Sequence, residues 1–145
     1  MTEHLGPTRE RRMSLRSAAG RVERSLASPT AERARRWSDE LARELDTLGE
    51  ALDTHITVNE APGGLFDDIV EHAPRLVHRV GRAKSDHDAL RDAYTQARAT
   101  VPCDADGVEA ARDRTVELLM ALLRHRHLGA ELVYEAFNVD LEAAD

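Results

Sequence analysis

Apolar residues recur along this chain with the alternating four- and three-residue spacing of helices that bury one stripe. From Ser14 the positions Leu15, Ala18, Val22 and Leu26 share a helical face. Ser28-Pro29 then stops that helix and offers an N-cap and first-turn proline for the next. The second predicted helix carries Leu41, Leu45, Leu48, Leu52 and His55, with Trp37 flanking its start. The third reads Ile69, Ala73, Leu76, Val80, Ala83, His87, Leu90, Tyr94, Ala97 and Val101, and Pro102 closes it. Beyond the caps offered by Asp104 to Gly107, the fourth reads Ala111, Thr115, Leu118, Leu122, His125, Gly129, Leu132 and Ala136. No strand pattern competes. Short connections between long helices predict an all-α fold, an antiparallel up-down four-helix bundle over residues 13–145. Residues 1–12, with Gly6-Pro7, clustered charge and little apolar content, read as a loose arm.

Composition narrows the function classes. At 145 residues the chain can bury a core of its own, and 41% hydrophobic, 32% charged and 3% aromatic residues suit packed amphipathic helices. A formal net charge of −7 disfavours nucleic-acid and anionic-membrane partners, and no recognition-helix pattern points to a DNA-binding regulator. The charge is uneven, with nine arginines against four glutamates in residues 1–37. A solvated helix face complementing the acidic remainder accounts for that. Cys103 is the single cysteine, so no internal disulfide forms, and no stretch resembles a signal peptide or membrane span. A cytoplasmic setting is expected.

Seven histidines beside one cysteine is the unusual ratio. His55, His87 and His125 each fall on the apolar seam of a different helix. His78 is rotated about 180° from His87, and His127 about 200° from His125, so both point away from the core. His72, beside Pro74, fits either side. Whether the seam histidines meet depends on where the chain turns. A turn at Pro62-Gly63-Gly64 would put His87 roughly 24 Å from the level of His55. With a kink there and a reversal at His72-Ala73-Pro74, the offset falls to about 6 Å, and His125 lies about 8 Å along the axis from His87. Buried imidazoles need partners for a donor and an acceptor each. A metal ion or a carboxylate meets that need, and Glu60 and Glu131 are near in sequence. A mixed nitrogen and oxygen set suits iron, manganese or zinc. The plainer reading of any one seam histidine is a hydrogen-bonded core residue, and His127 with Glu131 has the spacing of an exposed helical pair.

The stretches "HITVNEAPGGLFDDI", "SDHDALRDAY" and "RHRHLGAELVYEAF" resemble the hemerythrin-like HHE cation-binding domains. That family's pattern is a histidine, a His-x-x-x-Glu followed by Leu-Phe, a Glu-His in the third helix, and a second His-x-x-x-Glu. The resemblance covers about residues 38–140. It implies an antiparallel four-helix bundle around a non-haem di-iron centre that binds dioxygen, or senses oxygen, nitric oxide or iron. It also implies the second turn placement, with Leu65-Phe66 still on the second helix. By the resemblance His55, His87 and His125 match ligand histidines and Glu60 and Glu131 approximate the carboxylates. His127 fits the second His-x-x-x-Glu spacing, while His125 fits the seam. Asn59 stands where the first motif has glutamate, so Glu60 is displaced by one, and the first helix has no histidine after position 12.

The leading expectation is therefore a metal-binding protein whose partner is an ion or a small diatomic gas. Neither a nucleophile constellation nor a Gly-rich phosphate loop appears, so catalytic residues are not assigned, although an open coordination position would suffice for Lewis-acid chemistry. The competing expectation is a metal-free helical module that docks another protein through an exposed helix face.

Overall fold

The computed structural model describes residues 2–26 and 33–138, with side chains described from residue 14 onward in those ranges. Five helices follow in chain order: α1 (Thr2–Leu26), α2 (Ala34–Glu60), the short α3 (Leu65–His72), α4 (Val77–Arg98) and α5 (Val108–Phe137). Turns of 3₁₀ helix lie at Pro74–Leu76 and Ala105–Gly107. Among the described residues there is no strand, and no helix is long and apolar enough to cross a membrane. The backbone is helical from Thr2, so the stretch read as a loose arm continues α1. The Ser28-Pro29 cap and residues 139–145 lie outside the described residues.

The predicted seams are the buried faces. Leu41, Leu45, Leu48 and Leu52 of α2 form one core with Leu15, Ala18 and Val22 of α1, Leu90 and Ala97 of α4, and Ala111, Leu118 and Leu122 of α5. Each fully buried leucine contributes roughly 1.5–3 kcal/mol. A second cluster joins Leu65, Phe66 and Ile69 of α3 to Val80 and Ala83 of α4 and Leu132 and Val133 of α5. The seam histidines fall where the two clusters meet: His87 between Ala83 and Leu90, His125 between Leu122 and Leu132. A polar layer thus lies between the two apolar clusters. At the far end of the first cluster, the Cys103 amide donates to the Ser38 hydroxyl at 2.6 Å. Asp104 accepts from the amides of Asp106 and Gly107, as its cap position predicts.

Two expectations about the α2–α4 connection need correction. Pro62-Gly64 is a break, not a kink. Ala61 is extended (φ −61°, ψ 149°), as a residue preceding proline prefers. Gly63 is left-handed at φ 74°, and the Gly64 amide donates back to the Ala61 carbonyl at 2.8 Å. A Cβ on Gly64 would stand 2.5 Å from the Val58 carbonyl oxygen. Only glycine lets the chain press so closely on the end of α2, and Leu65-Phe66 accordingly open α3 instead of extending α2. The third predicted helix is likewise interrupted. Pro74 cannot sit inside a helix without removing a hydrogen bond and clashing one turn back, so Ile69 belongs to α3 and α4 begins only at Val77.

Tyr94 fastens α4 to α2. Its hydroxyl donates to the Leu45 carbonyl at 2.8 Å, and it lies across Gly49, where a Cβ would stand 2.4 Å from that hydroxyl. Burial, with Asp46 nearby, holds the phenol above its ordinary value of 10.0.

Gly64→Ala is expected to lower stability to urea by about 2 kcal/mol or more. Gly81→Ala, where an added Cβ meets nothing within 4 Å, should instead gain about 1 kcal/mol. Tyr94→Phe should cost about 1 kcal/mol at neutral pH. Because the folded-state phenol titrates above its unfolded value, wild-type stability from this bond is complete below about pH 10 and fades as pH rises through the folded pKa. Parallel urea curves for wild type and Tyr94→Phe should therefore converge at alkaline pH.

Candidate metal centre

His55 is delivered by the last full turn of α2, His87 by the middle of α4 and His125 by α5, and the three are 5%, 0% and 5% exposed. The three come to one point. His87 Nε2 lies 3.1 Å from His125 Nε2, and His55 Nε2 lies 3.2 Å from the same atom. The His55 ring is T-shaped to those of His87 and His125, at 77° and 82°, and the latter two are tilted at 56°. One nitrogen from each ring lies within 4.8 Å of the other two, so the three buried histidines could hold a metal ion. Nitrogens bound to a common ion at about 2.0–2.1 Å stand roughly 2.8–3.4 Å apart between octahedral and tetrahedral angles, so the two shortest separations already have that scale.

The outer nitrogens are engaged as well. Glu60 Oε2 lies 2.6 Å from His87 Nδ1, and Asp86 Oδ2 lies 2.7 Å from His125 Nδ1. A carboxylate only accepts, so each of these Nδ1 atoms carries the proton, and in a neutral ring Nε2 is then a bare lone pair. Asn59 faces His55, its amide nitrogen 3.3 Å from the ring, while its Oδ1 is buried without a hydrogen-bond partner. Amide orientation is assigned from such networks. The amide nitrogen is 3.3 Å from both ring nitrogens of His55, so this contact assigns no tautomer to that ring. Phe66 stacks on His87 at 5.4 Å and 20°, fixing that ring from the α3 side.

The remaining candidates lie elsewhere or act differently. Glu60 is at the cluster, but on the outer nitrogen of His87 and not on the converging face. Glu131 is an exposed partner of Arg79 at 3.5 Å, because four residues beyond His127 is the outer face of α5. His127 is exposed with it. His72 is exposed and packs against Phe137, with ring centroids 5.1 Å apart. Four residues beyond the cluster histidines His55 and His125 stand Asn59 and Gly129, so neither His-x-x-x position there carries a carboxylate. Asp86 was not anticipated. Its available signal was the acidic residue directly before a seam histidine, which one helical step turns toward α5.

Two spaces adjoin the cluster. A small one of about 30 Å³ touches His55, Asn59, Phe66, His125 and Gly129. A larger cleft of about 690 Å³ between α1 and α5 also reaches His55 and His125. Comparisons with protein-family models, curated proteins and solved structures found no match.

His87→Leu should leave the ion-free protein folded and more stable by roughly 0.5–2 kcal/mol, the usual gain when a buried functional group is replaced by a packing residue. Thermal unfolding in the presence of chelator checks this.

Proposed function

We propose that this chain is a hemerythrin-like metal-binding protein of the cytoplasm, an antiparallel up-down bundle that holds one non-haem iron ion and binds or senses a diatomic gas. Support for the antiparallel course comes from cross-helix pairs. Tyr94 meets Leu45 while His87 meets Glu60, and Arg79 meets Glu135 while Asp86 meets His125. In both cases one index falls as the other rises.

The observation that carries the metal reading is the 3.1 Å approach of His87 and His125 through Nε2 while carboxylates hold both Nδ1 atoms. Two lone pairs facing each other in a buried layer repel, and a cation between them turns the repulsion into ligation. Carboxylate–histidine–metal arrangements orient ligands in just this way and make them more basic. A single shared proton is the metal-free alternative, and ion analysis distinguishes the two. The donor set favours one ion over two. Glu60 and Asp86 are taken up by histidine nitrogens, Glu131 by Arg79, and among the described residues no carboxylate joins the three histidines on the converging face. Three imidazoles suit iron or zinc, whereas manganese prefers oxygen donors.

A bound iron would supply an open coordination position for the gas. The chain's own contribution is to hold three rings in register and to leave, on the side of Asn59 and Phe66, room for little more than one small molecule. The 30 Å³ space beside Asn59 and Gly129 has that size. A binding or sensing role, not catalysis, fits residues that offer no general acid or base beyond those orienting the ligands.

Protein produced with iron and purified should carry close to one ion per chain by elemental analysis, and His125→Ala should abolish it. Glu60→Gln and Asp86→Asn should each weaken ion affinity by about 10–100-fold, while Glu131→Gln leaves it unchanged. Ion-free wild type at every trial would end the proposal. Gly129→Val, which fills the small space, should keep the ion and reduce the nitric-oxide-induced change in the visible spectrum.

A further inference from the structure

Helix α5 carries two apolar faces, and the bundle covers one of them. Leu118 and Leu122 point into the core, whereas Met120, two residues from each and so rotated by about 200°, is 50% exposed. Val116, Leu123 and Tyr134 share the Met120 face at 43%, 42% and 52%. Among the described residues only Val77 joins them as an exposed large apolar side chain. Positions 116, 120 and 123 repeat the four-three spacing of a packed seam. Open apolar side chains gathered on one face mark a contact surface.

The charges beside this strip point to its occupant. Glu117, Arg124 and Glu131 follow at seven-residue intervals and so share one flank of α5. Glu131 meets Arg79 of α4 at 3.5 Å, which puts that flank on the α4 side. A two-fold axis passing between Met120 and Ala121, perpendicular to the helix, lays a second α5 antiparallel on the first and sets like flanks together. Glu117 and Arg124 are equally far from that axis on either side of it. Glu117 therefore stands level with Arg124 of the second copy, and Arg124 with the second copy's Glu117. The same axis runs through the middle of the Val116, Met120 and Leu123 strip, so the strip covers itself. Glu117 also holds Arg114 at 3.2 Å on its own helix. That exposed contact contributes little, and a carboxylate has lone pairs for a second guanidinium.

We propose that the outer face of α5 is a homodimer interface, in which α5 of a second copy packs antiparallel across Val116, Met120 and Leu123 and the two copies exchange a pair of Glu117–Arg124 contacts. Apolar burial drives the association, and the flanking charges set its orientation. Val116, Met120 and Leu123 also line the cleft against α1, so the second copy covers that side of the cleft. The interface uses no residue of the histidine cluster and forms with or without an ion there.

Sedimentation equilibrium of the full chain from micromolar to millimolar concentration should show a monomer–dimer equilibrium. Met120→Glu, which brings two carboxylates together at the axis, should weaken the dimer at least tenfold. Its circular dichroism should match that of wild type, since the side chain is half exposed. Glu117→Arg and Arg124→Glu should each weaken the dimer at least threefold, because like charges then meet. The two reversals combined should return the dissociation constant to near the wild-type value. A chain that stays monomeric throughout overturns the proposal, and so does a dimer that Met120→Glu leaves untouched. A dimer indifferent to the single reversals, or lost in both and not recovered in the double variant, overturns the antiparallel pairing. In a parallel pair the opposite flank faces Arg124, with Leu119 in place of Glu117, and exchanging the two charges restores nothing.

Discussion

The contact between His87 Nε2 and His125 Nε2 at 3.1 Å governs the interior of this protein. The carboxylates of Glu60 and Asp86 occupy the outer nitrogens, so the inner nitrogens of these buried rings must be satisfied within the cluster, by a proton shared between them or by a cation. Helix propensity and apolar burial would be better served by leucine at all three positions, where the surrounding seams already place leucine one turn away. The bundle instead keeps a polar layer between its two apolar clusters and surrounds it with fixed groups: Phe66 against one ring, Asn59 against another and a carboxylate behind two. Conflict between local packing preference and an ordered polar layer is where a functional site is expected.

The α2–α4 connection is not a simple hairpin. The break at Pro62-Gly64 is followed by α3 and a second break at Ala73-Pro74, and α3 supplies the aromatic ring on His87. Gly64 is the hinge of this arrangement. Its approach to the Val58 and Ala61 carbonyls leaves no room for a side chain. Proline before it and a left-handed Gly63 complete a turn that no other residue types would hold so tightly.

The seams were legible in the sequence because burial along a helix follows a period, and a period survives in any single chain. Leu41 through His55, Val80 through Leu90 and Ala111 through His125 are buried where the spacing puts them. That the three seam histidines could share one layer was legible from their heights along the helices, and they do converge. The carboxylates were not legible, for a physical reason. Glu131 has the family-like spacing from His127, but both sit on the outer face of α5, and spacing within one helix says nothing about which histidine faces inward. Asp86 reaches His125 on a neighbouring helix, and that pairing depends on how α4 and α5 are rotated against each other. Glu60 was found, but its role was misjudged, since sequence distance cannot tell a residue on the converging nitrogens from one on the outer nitrogens.

The helices contribute unequally to the layer. Its imidazoles come from α2, α4 and α5, so an ion there would draw those three helices together and add its binding free energy to their stability. Among the described residues α1 supplies none of them. It is held to α2 by apolar packing and by Arg21 with Glu44, and it leaves a cleft against α5. α1 lines the cleft that reaches His55 and His125, while the rings themselves stand on α2, α4 and α5. Because α1 packs on Leu48 and Leu52 of α2 in the same core, the wall of that cleft and the helix that carries His55 are held by shared apolar burial.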